Sequence, residues 1–380
     1  MQTSTLERES LVRALSSLAK TANQRHFPVL THAMFAPGAN TVSIKTTNLD
    51  QQTTIALACE STPGAPFLAP CKALLDWAKA RPAGAHITLT PGDGKVSATC
   101  ETAAASFAAL AVDDFPALFP DAAAGASRVA LPAPRLAAMI EQVRPALSRE
   151  ETRYYLNGIY IHRAPDAPHE LTFVATDGYR LAAAREPLPP MPIPSVIAPA
   201  DFIAGLAGLL KGRKSDCNLT ISPKYIAATI DGVTLESVVI DGTFPDWRRV
   251  VPGGNTKIAI FDRAALAAII KPLAAIIKPL AAKKGAPPAV KLRFDNGTLF
   301  IESRNDSGAA ELDRIDAAWD SGALKIGFDA RYLFAMLTSL APSPDGRIMA
   351  AFADASSPAL FWPVDGDRRA AFHVVMSRRI

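Results

Sequence analysis

The sequence has little of what enzymes, secreted proteins and membrane proteins depend on. Its four cysteines, Cys59, Cys71, Cys100 and Cys217, lie far apart with no C-x-x-C spacing. That excludes a disulfide framework or a thiolate zinc site and reads as reduced, buried thiols of a cytoplasmic protein. No H-E-x-x-H or other metal spacing links the six histidines. No G-x-S-x-G elbow is present. "GLLKGRKS" lacks the Gly-Lys-Ser/Thr ending of a phosphate loop and reads as a basic loop after a helix. The opening "MQTSTLERES" has no basic stretch followed by an apolar run, so no secretory signal is expected. The most apolar segment, "LAAIIKPLAAIIKPLAA", is cut by Lys271, Pro272, Lys278 and Pro279, which makes it a poor membrane span. Neither a metal nor a cofactor is expected.

What the sequence does have is internal repetition. The segments "ERESLVRALSSLAK", "PAPRLAAMIEQVRPAL" and "FDRAALAAIIKPL" look like one helix entry used three times, with Leu11, Leu136 and Leu266 at steps of 125 and 130. A second set, "APCKALLDWAKA", "APADFIAGLAGLL" and "FDARYLFAMLTSL", aligns Pro70, Pro199 and Asp329 at steps of 129 and 130. Phe115-Pro116 recurs as Phe244-Pro245, and Asn48, Asp177 and Asp306 share a step of 129. Landmarks in one order at nearly one step predict three homologous domains, 1–126, 127–254 and 255–380, with small and Gly/Pro-rich joints. Each repeat shows two amphipathic helices and alternating runs joined by turns such as Asp231-Gly232 and Asn296-Gly297. The expected class is α+β, two helices on antiparallel sheet in every repeat. "AAIIKPL" also occurs twice in tandem, so the first helix of the third repeat is expected to kink or break near Pro272 or Pro279.

Charge is distributed unevenly. The net charge is +4, yet the six windows expected to be helical, 6–20, 69–81, 131–147, 198–211, 260–280 and 328–340, hold 13 Lys/Arg against 7 Asp/Glu. If those helices shared one side, that side would be basic and suited to sequence-independent phosphate contact.

One stretch stands apart. "LTFVATDGYRLAAA", Leu171 to Ala184, alternates like a strand and then breaks at Thr176, Asp177 and Gly178. It could be an active-site turn, a metal corner or a hairpin tip. No second carboxylate lies near Asp177 in sequence to form an acid–base pair.

The motifs "RYYLNGIYIH", "VATDGYRLA", "VIDGTFPDWRRVVP" and the terminal "HVVMSRRI" resemble, in order and spacing, the bacterial DNA polymerase III beta subunit, the sliding clamp family. The resemblance spans essentially the whole chain. It implies a head-to-tail homodimer closing a ring of six domains, with helices lining the hole and sheet outside. Such a ring holds double-stranded DNA topologically, without sequence preference and without chemistry. It also implies a pocket between the second and third domains for short peptides of the polymerase III catalytic subunit, the clamp loader, other polymerases and repair proteins. Carried over, that pocket is lined by Leu156, Thr176, Gly178, Tyr179, Arg180 and Leu181, by Pro245, Arg249 and Val250, and by Tyr332, Ser357, Val374, Met376 and Arg379. DNA contact falls to Arg25, Arg149, Arg153 and Tyr154, with Lys20, Lys72, Lys79, Arg144, Lys211, Lys271 and Lys278 as helix-face candidates.

The chain departs from the family at informative places. Tyr179 stands where many members have His, which is expected to alter the pocket rim. The tail reads Met376-Ser377-Arg378-Arg379-Ile380 instead of a Met-Pro-Met-Arg-Leu pattern, and losing that proline is expected to loosen it. The stretches expected at the subunit contact, "CETAAASFAAL" and "NDSGAAELD", are poor in charge. A drier interface would use Phe107 and Leu110 against Ile276, Ile277 and Leu280. Two other readings remain at this point: a specialised second clamp of phage, plasmid or resistance origin, and an enzyme built on the Asp177 turn.

Overall fold

The structure, a computed structural model, describes residues 2–22, 27–119, 125–164, 167–280, 289–304, 310–341, 343–365 and 370–379, excepting the side chains of 275–280, 303–304 and 310–311. Among them are six α-helices: α1 (Arg8–Leu18), α2 (Cys71–Lys79), α3 (Ala133–Val143), α4 (Ala200–Leu210), α5 (Arg263–Leu280) and α6 (Ala330–Ser339). They come in three pairs, one per repeat. Leu11, Leu136 and Leu266, aligned on the repeat, are all fully buried. Position along an amphipathic helix decides which residue enters the core, so equivalent positions have equivalent fates. Asp329 caps α6 by accepting the Arg331 N–H at 2.9 Å. The Asp231-Gly232 and Asn296-Gly297 turns both run through positive φ, as two-residue hairpins require.

The chain divides into two compact units, residues 1–134 with 204–239 and residues 135–203 with 240–380. In the first, an eight-stranded sheet and a five-stranded sheet form. Its core unites α1 and α2 with Phe35, Ile44, Phe67, Ile87 and Val96. Strand Val233–Val238 pairs antiparallel with strand Gln51–Ala58 in this unit. The second unit holds one twelve-stranded sheet. There strand Ala371–Val375 pairs with strand Arg180–Pro187. The compact units therefore cut through the middle repeat. Its last strand extends the sheet of the first repeat, and its fourth strand is extended by the last strand of the third.

Helix α5 is unbroken over Arg263–Leu280, with Pro272 and Pro279 inside it. Of the kink or break expected near Pro272 or Pro279, the break is absent. An internal proline costs about 3 kcal/mol, and here Ile270 is fully buried while Ile269 and Leu273 pack on the C-terminal core. Burying such side chains returns about 1.5–3 kcal/mol each. Among the described residues no helix is long and apolar enough to cross a membrane.

Candidate functional site

The Thr176–Arg180 corner is a hydrogen-bonded turn. Thr176 Oγ1 donates to the Arg180 carbonyl at 2.7 Å and accepts the Gly178 N–H at 3.1 Å. Asp177 Oδ1 accepts the N–H groups of Tyr179 and Arg180, both at 3.0 Å. The first repeat builds the same turn from Thr47 and Asn48. Thr47 Oγ1 donates to the Gln51 carbonyl at 2.7 Å and accepts the Leu49 N–H at 3.1 Å. Asn48 Oδ1 accepts the N–H groups of Asp50 and Gln51, at 3.2 and 2.7 Å. Asp306 lies outside the described residues. A short side-chain acceptor that closes its own turn explains why Asn and Asp recur here. In this role the Asp177 carboxylate is consumed by the turn and by Arg180.

The two corners diverge one residue on. Gly178 and Leu49 occupy the same left-handed position, with φ of 89° and 83°. Leucine adopts that region only under strain; glycine does so freely. A methyl group at Gly178 would come within 2.8 Å of Arg153 Nη1, so the missing side chain also makes room for that guanidinium. Beyond the corner the floor differs too. The second copy has Leu181 and Val374 paired across the strands. The first has Gln52 and Glu236, joined at 2.6 Å, with the Tyr225 hydroxyl on Glu236 at 2.9 Å. That polar knot pushes the Tyr225 phenol above its ordinary range, through burial first and the Glu236 charge second. Of the two described corners, only the second carries an apolar floor.

A groove of about 350 Å³ opens at that second corner. Leu156, Leu181, Val374 and Trp247 belong to a small core of their own beneath it, with Phe244 and Phe372. Trp247 donates its indole N–H to His162 Nε2 at 3.2 Å, and Tyr160 stacks on Phe244 at 4.8 Å. These contacts make the floor rigid. The rim is polar. Arg180 Nε meets Asp177 Oδ2 at 2.9 Å, and the Arg180 guanidinium lies 4.6 Å from the Tyr332 ring. Tyr332 stacks on Tyr179. Its phenol is pushed up, chiefly by burial and then by the charges of Asp177 and Asp329. Arg153 is held by Glu150, and the hydrogen bond to that carboxylate raises its pKa.

The tail is pinned where it was expected to be loose. The Met376 N–H bonds the Tyr179 carbonyl at 2.9 Å, Ser377 Oγ bonds the Ser356 carbonyl at 2.6 Å, and the Arg378 N–H bonds the Gly327 carbonyl at 2.7 Å. A proline at 377 would have no hydroxyl for the middle bond. The serine replaces ring rigidity with a tether.

Of the pocket residues expected from sequence, Leu156, Thr176, Gly178, Tyr179, Arg180 and Leu181 line the groove, as do Pro245, Val250, Val374 and Met376. Four do not. Tyr332 stands against Tyr179 and Arg180. The Ser357 hydroxyl is taken by Asp354 at 2.8 Å. Arg249 and Arg379 are exposed away from the lining. Tyr155, Asp246 and Trp247 line it without having been singled out; their adjacency to Leu156 and Pro245 was the available signal. Arg153, assigned to DNA from sequence, lines the groove as well.

Of the other DNA candidates, Lys20, Lys72, Lys79, Arg144, Arg149, Tyr154, Lys211 and Lys271 are exposed. Lys72 pairs with Asp76 at 3.3 Å and Arg144 with Glu141 at 2.9 Å. Arg25 and the side chain of Lys278 lie outside the described residues. Phe107 and Leu110 are half-buried, Phe107 edge-on to Trp77 within its own core. The side chains of Ile276, Ile277 and Leu280 lie outside the described residues. Among the described residues no three His, Cys, Asp or Glu converge as a metal site.

Fold and groove together define a class: a thrice-repeated helix-on-sheet protein with an apolar slot at one corner. Family models for the DNA polymerase III beta subunit match in order, the N-terminal domain over residues 3–119, the central domain over 130–246 and the C-terminal domain over 248–377. The beta sliding clamp of Caulobacter vibrioides is 31% identical over 370 residues, covering 95% of this chain and 96% of that protein. That of Pseudomonas aeruginosa is 26% identical over 381 residues, 99% of both. The solved structure of the Bartonella birtlesii clamp bound to griselimycin superposes with a TM-score of 0.89 at 28% identity, covering 100% of both chains. The chain belongs to the DNA polymerase III beta subunit family and is a DNA sliding clamp.

Proposed function

We propose that two copies of this chain close head to tail around duplex DNA, and that the groove at Thr176–Leu181 receives short linear peptides of proteins working on that DNA. The occupants are segments of the polymerase III catalytic subunit, the clamp loader, other polymerases and repair proteins. The protein acts in the cytoplasm as a processivity factor and carries out no chemical step. The observation that carries the peptide reading is the groove itself: an apolar floor on a packed core, an orienting polar rim, and a corner whose described counterpart at Thr47–Gln51 has a polar floor instead. The domain limits at 126 and 254 rest on the repeat; the first lies between the matched spans 3–119 and 130–246, and the second lies inside the matched span 248–377.

Ring closure is supported by an unfinished pattern in the sheets. In two places the last strand of one repeat adds to the fourth strand of the repeat before it. Val238 N–H bonds the Asp50 carbonyl at 3.0 Å, and Met376 N–H bonds the Tyr179 carbonyl at 2.9 Å. Among the described residues, strand Ala103–Ala108 and residues 310–316 of strand Ala310–Trp319 lack this partner. Ala109 bonds Gly94 as Val239 bonds Lys224, and Ala317 bonds Gly297 as Cys59 bonds Asn40. Ala104 thus corresponds to Thr234, and Leu312 to Thr54, which are partners in the first unit. The same register across two copies sets Ala104 opposite Leu312, a side chain 62% exposed. Small alanines facing a leucine suit a dry contact with few charges.

The DNA reading is tested by retention on nicked circular DNA: loss on linearisation supports topological binding, and equal retention on both forms contradicts it. The groove is tested with a fluorescent C-terminal peptide of the cognate polymerase catalytic subunit. Binding should fall with Arg180→Ala plus Met376→Ala; unchanged affinity would move the site elsewhere.

A further inference from the structure

The seams between repeats join strands of one backbone pattern, yet the side chains that meet across them differ. In the first unit Gln52 lies opposite Glu236 and Thr54 opposite Thr234. In the second, Leu181 lies opposite Val374 and Ala183 opposite Phe372. Strand alternation puts both pairs of a seam on one sheet face. Thr54, Ala183 and Leu312 are spaced by steps of 129, so Leu312 is the third copy of this position. The ring register sets it opposite Ala104.

Each seam has its own chemistry at these positions. The first is polar: Gln52 Nε2 donates to Glu236 at 2.6 Å, and the Thr234 and Thr229 hydroxyls share a hydrogen bond of 3.1 Å. The second sets a small residue against a large one. Ala183 and Phe372 are both buried, with the large ring on the last strand of the repeat. The open edges reverse that order, with the small Ala104 on the last strand and the large Leu312 facing it.

We infer that Ala104 and Leu312 are specificity-determining residues: their reversed volumes admit a second copy of this chain at the open edge and reject the other strands of like backbone. The inference rests on the ring reading. Facing side chains stand about 5 Å apart, too close to evade one another. Phe372 against Leu312 would overfill the seam. Ala104 against Ala183 would leave a void where the ring of Phe372 now packs. Glu236 against Leu181 would lose the Gln52 donor to its carboxylate. Every wrong pairing therefore carries a penalty that the right one lacks, which is how alternatives of similar shape are sorted.

Both residues are exposed in the single chain, Leu312 at 62%, so replacing them leaves the fold intact. The test is sedimentation equilibrium on the wild-type protein, Ala104→Leu, Leu312→Ala and the double variant that exchanges the two. Each single variant should dimerise at least about tenfold more weakly, through a Leu–Leu clash or an Ala–Ala void. The exchanged variant should return to within about threefold of wild type. Labelled wild type mixed with the exchanged variant should form few mixed dimers, because a mixed ring holds one Leu–Leu and one Ala–Ala seam. Single variants as tight as wild type, or an exchanged variant no tighter than the weaker single, would overturn the inference and leave the ring reading intact. A monomeric wild-type protein would overturn both.

Discussion

Asp177 holds Arg180 twice, taking its backbone N–H on Oδ1 at 3.0 Å and its guanidinium Nε on Oδ2 at 2.9 Å. One carboxylate thus closes the turn and aims the side chain that backs the groove. Both side chains are largely shielded, at 13% and 17% exposure, so the pair is screened less than a surface bridge. Asp177→Asn retains the turn acceptor and should cost about 1 kcal/mol; Asp177→Ala removes both contacts and should cost about 2–3 kcal/mol. Urea unfolding of the two variants checks the order. Equal losses would show that the guanidinium contact adds nothing.

The two left-handed corner positions should respond with opposite signs. Leu49→Gly relieves a strained φ of 83° and should stabilise the protein by about 0.5–1 kcal/mol, the strain of about 1–2 offset by glycine's larger unfolded-state entropy. Gly178→Ala introduces strain at φ 89° and should destabilise by about 1–2 kcal/mol while displacing Arg153. Thermal melts of both variants suffice, and the same sign for both would refute the argument.

His373 makes stability depend on pH. Burial, then the Arg180 charge, pushes its imidazole from the ordinary 6.5 down to about 3. It stays neutral in the folded protein while the unfolded chain takes up a proton below about 6.5. Unfolding is therefore favoured as pH falls from about 6.5 towards 3, at up to about 1.4 kcal/mol per pH unit. His373→Gln should flatten the stability profile between about pH 4.5 and 6.5 relative to wild type. Parallel profiles would rule out this group as the source.

Ring closure makes its own prediction. Ala109 N–H points into the hairpin, towards Gly94, so by strand alternation Ala104 and Ser106 direct their N–H groups outward. Ser106→Pro removes only an outward donor and should leave the fold intact while halving the sedimenting mass. A variant that remains a dimer would show that this edge is not the contact.

Much of the fold was readable because its causes are local. Leu11, Leu136 and Leu266 share a helix face, and Asn296-Gly297 can turn in few ways. The Thr-Asx corner closes with bonds spanning four residues. The groove was only partly readable. Tyr155 and Trp247 sit beside named residues, but nothing in a linear pattern says that they face the same space. Arg153 reads as a surface cation until Gly178 is seen to leave room for it. The expected loosening of the tail failed because the Ser377 partner, Ser356, lies 21 residues away in sequence.

The sequence by itself determined three repeats of helix on sheet, the absence of familiar catalytic and metal motifs, and the stretches that would build a peptide slot. Only the tertiary structure decided which corner became that slot. Two strands distant in the chain, Arg180–Pro187 and Ala371–Val375, pair there and set Val374 opposite Leu181. The same pairing in the first unit sets Glu236 opposite Gln52 and fills the floor with a polar knot. Local sequence shapes a turn, but what faces that turn depends on strand pairing, and strand pairing is a property of the whole sheet.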